Sequence, residues 1–107
     1  MSAPEVDVDV LATGLAAGVP VVDVRQPEEY EAVHVPGAKL IPLADVVARL
    51  GEIPTEGPVY VICQSGQRSL RAAEFYRQQG IEAYSVAGGT KAWIEGGHEG
   101  APGPLPG

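Results

Sequence analysis

The sequence predicts an α/β domain, a mostly parallel sheet with helices on both faces. Two observations carry that prediction. Short, β-branched apolar runs bounded by Gly or Pro recur along the chain, at 20–24 and 59–62 above all, and segments with helical starts and stops fall between them. The loops joining these segments are short, as they are where strands lie parallel and connect through crossover helices.

Each element has its own local reason. Residues 4–10 alternate Val with Asp or Glu, as a short half-exposed strand or the lead-in to a helix. Asp9 is placed to cap a helix over 10–17 that Gly18 ends. Residues 20–24 are a second strand, buried, closing in Arg25. Pro27 then suits a first helical position, and Glu28, Glu29 and Glu31 give the acidic first turn that a helix start prefers. Residues 35–38 are a turn, 39–41 a third short strand, and 44–50 a short helix with Gly51 at its end. Gly57-Pro58 bounds the strand over 59–62, which Cys63 and a tight polar loop follow. The next helix lines Ala72, Ala73, Phe75 and Tyr76 along one side and stops at Gly80. Residues 83–86 are the last strand, and Gly88-Gly89 opens a final helix over 90–95 that carries Trp93. Residues 1–96 thus read as one domain. Residues 97–107 are mostly Gly and Pro and read as a flexible tail.

Composition narrows the function classes. A chain of 107 residues, 45% apolar, is one globular domain able to bury a core without staples. Its net charge of −7 argues against nucleic acid or an anionic membrane as partner, so any anion it handles must be drawn in by a local field. The single cysteine excludes an internal disulfide, and with only His34 and His98 beside it there is no metal-ligand cluster; no metal or cofactor is expected. The stretch 1–9 has no basic residue and no apolar core, and no apolar run approaches membrane-spanning length. A cytoplasmic, reducing setting, where a free thiol survives, is the expectation.

The chemistry concentrates in Cys63-Gln64-Ser65-Gly66-Gln67-Arg68-Ser69. A strand that delivers a thiol into a loop opening a helix puts that thiol where several backbone N–H groups converge. Only a thiolate attacks sulfur, and a helix N-terminus with nearby cations lowers a thiol's pKa. Gly66 allows the tight turn, and Arg68 offers a planar fork to a sulfonate or sulfite group. Arg68 and Arg71 in the first turns of a helix oppose its dipole by roughly 0.3–1 kcal/mol each unless an anion is bound. A lone cysteine is ordinarily a small buried hydrophobe. The Ser, Gly, Gln and Arg around this one favour a reactive thiol. Asp23 and Arg25 read as a brace at the sheet end, His34 as packing in its turn, Trp93 as core and the glutamates after Pro27 as a solvated helix start. His98 reads as part of the tail, without a role.

The set Asp23-Val24-Arg25, Glu29-Tyr30, His34-Val35-Pro36-Gly37-Ala38, the Cys63 loop, and Gly88-Gly89 with Trp93 resembles the rhodanese (sulfurtransferase) domain family over nearly all of the chain up to about residue 96. The resemblance implies the rhodanese-like fold, with a central parallel sheet of five strands. It implies transfer of a sulfane sulfur, from a small-molecule donor such as thiosulfate, to cyanide or a thiol through a cysteine persulfide. Cys63 matches the sulfur carrier. Gln64, Ser65, Gly66, Gln67 and Arg68 match the loop that binds the substrate, Ser69 and Arg71 extend it, and a sulfur-relay protein is a candidate partner. Val33 stands where a glycine usually precedes the histidine. Gln64 and Gln67 are neutral where many relatives are basic, which bears on the preferred donor. Two other classes remain: a cysteine phosphatase or arsenate reductase on a related loop, and a non-catalytic interaction module. The phosphatases place five residues between Cys and Arg where this chain has four, and they need a general acid, for which Asp23 and Asp45 are the candidates. An interaction module need not keep Cys63, Gly66 and Arg68 together.

Overall fold

In the computed structural model, which describes residues 3–107, strands and helices alternate as β1 (Glu5–Val6), α1 (Val8–Ala16), β2 (Val21–Asp23), α2 (Pro27–Ala32), β3 (Lys39–Leu40), β4 (Pro58–Ile62), α3 (Gln67–Gln78), β5 (Glu82–Val86) and α4 (Gly89–Glu95). The five strands form one sheet in the order β1-β5-β4-β2-β3, and every pairing is parallel. Its two edge strands are only two residues long each, too short to template pairing with another chain. No helix among the described residues is long and apolar enough to cross a membrane.

Side-chain alternation along β4 divides the core in two. Val59, Val61 and Cys63 face α3, packing with Ala72, Ala73 and Tyr76 and with Ile41 and Ile53. Tyr60 and Ile62 face the other way, toward Leu11 of α1, Tyr30 of α2 and Trp93 of α4. Period-two alternation in a strand covered on both sides requires this, and each large apolar side chain so buried contributes about 1.5–3 kcal/mol. Because α2 and α3 leave the sheet on opposite faces, the chain from β2 turns to one side and that from β4 to the other. The crevice outside the carboxyl ends of these adjacent strands is where such sheets hold their ligands. Cys63 lies directly after β4, and Asp23 ends β2.

Three expectations need correction. The cap of α1 is Asp7, whose Oδ1 accepts from the Val10 N–H at 2.9 Å; Asp9 sits inside the first turn instead. The helix expected over 44–50 is two separate 3-10 turns, Leu43–Asp45 and Leu50–Glu52. The β-branched pair Val46-Val47 disfavours helix in a segment too short to nucleate one, and the turns instead lay Leu43, Val46 and Leu50 onto the core.

The third correction concerns the tail, which is docked. Ala101 and His34 exchange backbone hydrogen bonds of 2.9 and 2.8 Å as an antiparallel bridge. The Gly103 N–H donates to the Glu31 carbonyl and the Gly37 N–H to the Pro106 carbonyl, both at 2.8 Å. The Trp93 indole N–H donates to the Glu99 carbonyl at 2.7 Å, and the His98 ring stacks on Trp93 with centroids 4.1 Å apart. A Gly- and Pro-rich strap buries little side chain. What it supplies is backbone partners for groups that would otherwise lack them.

Candidate active site

Cys63 is 1% exposed, with its sulfur under the loop that joins β4 to α3. The Gly66 N–H donates to Sγ over 3.1 Å. Gly66 holds φ +108°, in the left-handed region, so the chain can reverse there and bring that N–H onto the sulfur. Gly89 makes the second close approach. The N–H groups of Thr90 and Lys91 donate to the Cys63 and Gln64 carbonyls at 2.8 and 3.1 Å, and a Cβ on Gly89 would stand 2.3 Å from the Cys63 carbonyl oxygen. Any larger residue there would push α4 off the loop.

Two buried serines complete a ring around the sulfur. Ser69 Oγ lies 3.4 Å from Sγ, Ser85 Oγ lies 2.8 Å from Ser69 Oγ, and Ser85 Oγ is 3.5 Å from the Gly66 carbonyl. As a thiol, Cys63 donates its S–H to Ser69. As a thiolate, it accepts the Ser69 O–H instead, a change that needs only hydroxyl rotation. Burial is the largest single influence on this thiol and pushes its pKa up. The Ser69 hydroxyl and the N–H groups of Ser69, Gly66 and Ser65 together outweigh it, so the pKa falls below that of an ordinary cysteine. The helix N-terminus acts in the same sense.

The arginines do not stand where the sequence reading puts them. Both terminal nitrogens of Arg68 bind the Glu29 carboxylate, at 2.7 and 2.8 Å, so the fork expected to hold a sulfonate is occupied by α2. The Arg68 guanidinium holds the Glu29 carboxyl well below the usual range, at about 2, with help from the Gln26 N–H and against the opposing effect of burial. Arg25, 1% exposed, forks onto both oxygens of Asp23 and also donates to the Val33 carbonyl at 2.8 Å and to Gln64 Oε1 at 3.2 Å. It ties the loop to the end of β2 and to the chain after α2. Gln64, Ser65, Gln67 and Arg71 are exposed, and Arg71 has no carboxylate partner among the described residues. His34 is buried away from the sulfur, stacked on Tyr30, with Nδ1 2.8 Å from the Tyr30 carbonyl and Nε2 3.1 Å from that of Pro106.

A buried cysteine ringed by N–H and O–H donors, at the switch point of a five-stranded parallel sheet, defines a class of thiol-bearing α/β domains. The particular family follows from comparison with known proteins. The family model described as Rhodanese-like domain matches residues 7–96, and the chain belongs to that family. The uncharacterized protein YqhL of Bacillus subtilis is 47% identical over 73 residues, covering 67% of this chain and 58% of YqhL. The thiosulfate sulfurtransferase GlpE of Pseudoalteromonas translucida is 34% identical over 76 residues, covering 70% of this chain and 72% of GlpE. Among solved structures, a rhodanese-related protein of Thermoplasma volcanium superposes with a TM-score of 0.86 at 28% identity, over 92% of this chain and 97% of that one.

Two residues at the site escaped the sequence reading. Glu29 was read as one solvated glutamate after Pro27; its signal was its place three residues after Gln26, whose N–H its carboxylate accepts in a capping box. Ser85 did carry a signal: it is the polar residue on the side of β5 that Ala83 turns toward α3.

Proposed function

We propose that this chain is a sulfurtransferase that carries a sulfane sulfur as a persulfide on Cys63. The observation behind this reading is the donor ring, with Gly66 N–H at 3.1 Å from Sγ and a thiol pKa lowered despite burial. The Cys63 thiolate attacks the sulfane sulfur of a donor, the new S–S bond forms, and the old bond breaks with its electron pair leaving on sulfite or a thiolate. The outer sulfur of the resulting persulfide carries the charge, where the Ser65, Gly66 and Ser69 N–H groups of a short loop can stabilise it. A thiolate or cyanide then attacks that outer sulfur and Cys63 leaves as thiolate. Each step exchanges one S–S bond for another, or for S–C with cyanide, so electrons balance without an external oxidant. An acceptor thiol on another protein would make the domain one station of a sulfur relay.

The phosphatase reading fares worse. Asp23 has both oxygens on Arg25, which removes it as a general acid, and the Arg68 fork is engaged by Glu29.

The test is intact mass. Incubation with a sulfane-sulfur donor should add the mass of one sulfur atom, cyanide should remove it as thiocyanate, and Cys63→Ser should do neither. Hydrolysis of p-nitrophenyl phosphate should be negligible. Sulfur transfer that survives in Cys63→Ser, or strong phosphatase activity lost in it, would overturn the proposal. A chain that takes sulfur from no donor would be an interaction module.

A further inference from the structure

We propose that a groove along α1, on the face of the sheet away from Cys63, is a docking site for an arginine side chain of a partner protein. The groove has a volume of about 500 Å³ and a mostly apolar lining. Val10, Ala17 and Val19 give it apolar sides, the exposed Asp7 and Asp9 its rim, and Tyr60 of β4, 9% exposed, its floor. The Tyr60 ring reaches under α1 because residue 14 is glycine; a Cβ there would collide with it. Glycine is a poor helix former, so α1 gives up stability to let the ring in. Tyr84 fixes the ring edge-on, with centroids 6.1 Å apart. Among the described residues, the Tyr76 and Thr90 hydroxyls are unpaired and sealed in the interior, whereas the Tyr60 hydroxyl is unpaired and opens into the groove. A buried polar group without a partner is costly, and this one is free to bond whatever fills the groove.

The charge of the groove selects the ligand. Asp7 and Asp9 line it, and no lysine or arginine does. Asp7 spends Oδ1 on the Val10 N–H, which leaves Oδ2 free. Asp9 has one contact of opposite sign among the described residues, His98, whose Nε2 at 3.8 Å is too far for a hydrogen bond and whose ring is stacked on Trp93. A matching ligand has an apolar stem, a positive head, and N–H donors for both a carboxylate and a hydroxyl. Arginine has all three, and its planar fork suits a carboxylate better than the point charge of lysine. An open groove covers too little of a free small molecule to hold it alone. The cation therefore belongs to a partner protein, which the net charge of −7 draws in. Because β4 turns Tyr60 and Cys63 to opposite faces, the arginine docks without touching the sulfur.

The experiment titrates the isotope-labelled full chain with a blocked Ala-Arg-Ala peptide and follows backbone amide shifts by NMR. The amides of Thr13, Gly14, Val19 and Tyr60 are expected to move. The citrulline peptide keeps the shape, loses the charge, and should bind about tenfold more weakly. Tyr60→Phe, which removes only the hydroxyl, should weaken the arginine peptide by about fivefold. Asp7→Asn keeps the helix cap, and combined with Asp9→Asn it should bring the arginine peptide down to the citrulline level. Ethylguanidinium should bind more weakly than the peptide; equal binding would make the occupant a free small molecule and overturn the partner assignment. Absent or scattered shifts, equal binding of the two peptides, or an affinity unmoved by Tyr60→Phe would overturn the site itself. Sulfur loading of Cys63 is read separately by intact mass and should be unchanged in Tyr60→Phe, so either proposal can fail without the other.

Discussion

Arg25 and Arg68 each fork onto a carboxylate beside the same loop, and each reaches α2 or the chain just after it, yet they do different work. The Arg25–Asp23 pair is 1% and 0% exposed and fully hydrogen-bonded, with Val33 and Gln64 taking the donors that Asp23 leaves over. The Arg68–Glu29 pair is 35% and 33% exposed, and beyond its two mutual bonds only the Gln26 N–H reaches it, on Glu29. A buried pair has been taken out of water and cannot be broken singly without leaving an uncompensated charge. A half-exposed pair exchanges readily with solvent. The first is therefore a brace, and the second a clasp open to water.

That contrast can be broken most directly at Arg25. Arg25→Ala strands the Asp23 carboxylate and should cost about 3–5 kcal/mol, read as a fall in the urea midpoint. A loss below about 1 kcal/mol would mean the brace is a surface-like pair. Next in size comes the strap, which supports the α2 platform that both arginines lean on. Ending the chain after Gly97 removes the acceptors of the His34 N–H and the Trp93 indole, at an expected cost of about 1–3 kcal/mol. An unchanged midpoint would show that water replaces the strap without loss. The smallest effect is Arg68→Ala, about 0.2–1 kcal/mol at neutral pH. Its sign with pH is fixed by Glu29. A folded pKa lowered from 4.5 to about 2 gives stability that is full above pH 4.5 and is lost as pH falls toward about 2. The difference in stability between the wild type and Arg68→Ala should therefore shrink over that window, and a difference that grew in acid would contradict the clasp.

How much of this the sequence carried depends on whether side chains or backbone do the work. The α/β class, a mostly parallel sheet and the position of Cys63 after β4 were legible because they rest on side-chain alternation, helix starts and a polar loop of distinctive composition; the count of five strands came from the family resemblance. The strap was not, because Ala101, Gly103 and Pro106 act through their backbones, and backbone partners leave no mark in composition. The partner of Arg68 was not legible for a related reason. Its charge was visible, but the partner, Glu29, lies 39 positions away. At 44–50, a segment ending at Gly51 read as a helix that two adjacent valines and the pull of the core divided into 3-10 turns.

The donors around Cys63 outweigh its burial and lower its pKa below that of an ordinary cysteine. The ultraviolet absorbance of the Cys63 thiolate, taken as the difference between the wild type and Cys63→Ser across pH, tests this without any substrate. The account predicts a midpoint below that of an ordinary cysteine, moved upward in Ser69→Ala, which deletes the hydroxyl 3.4 Å from the sulfur. A midpoint above the ordinary value, indifferent to Ser69, would mean that burial prevails and Cys63 is a buried thiol like any other.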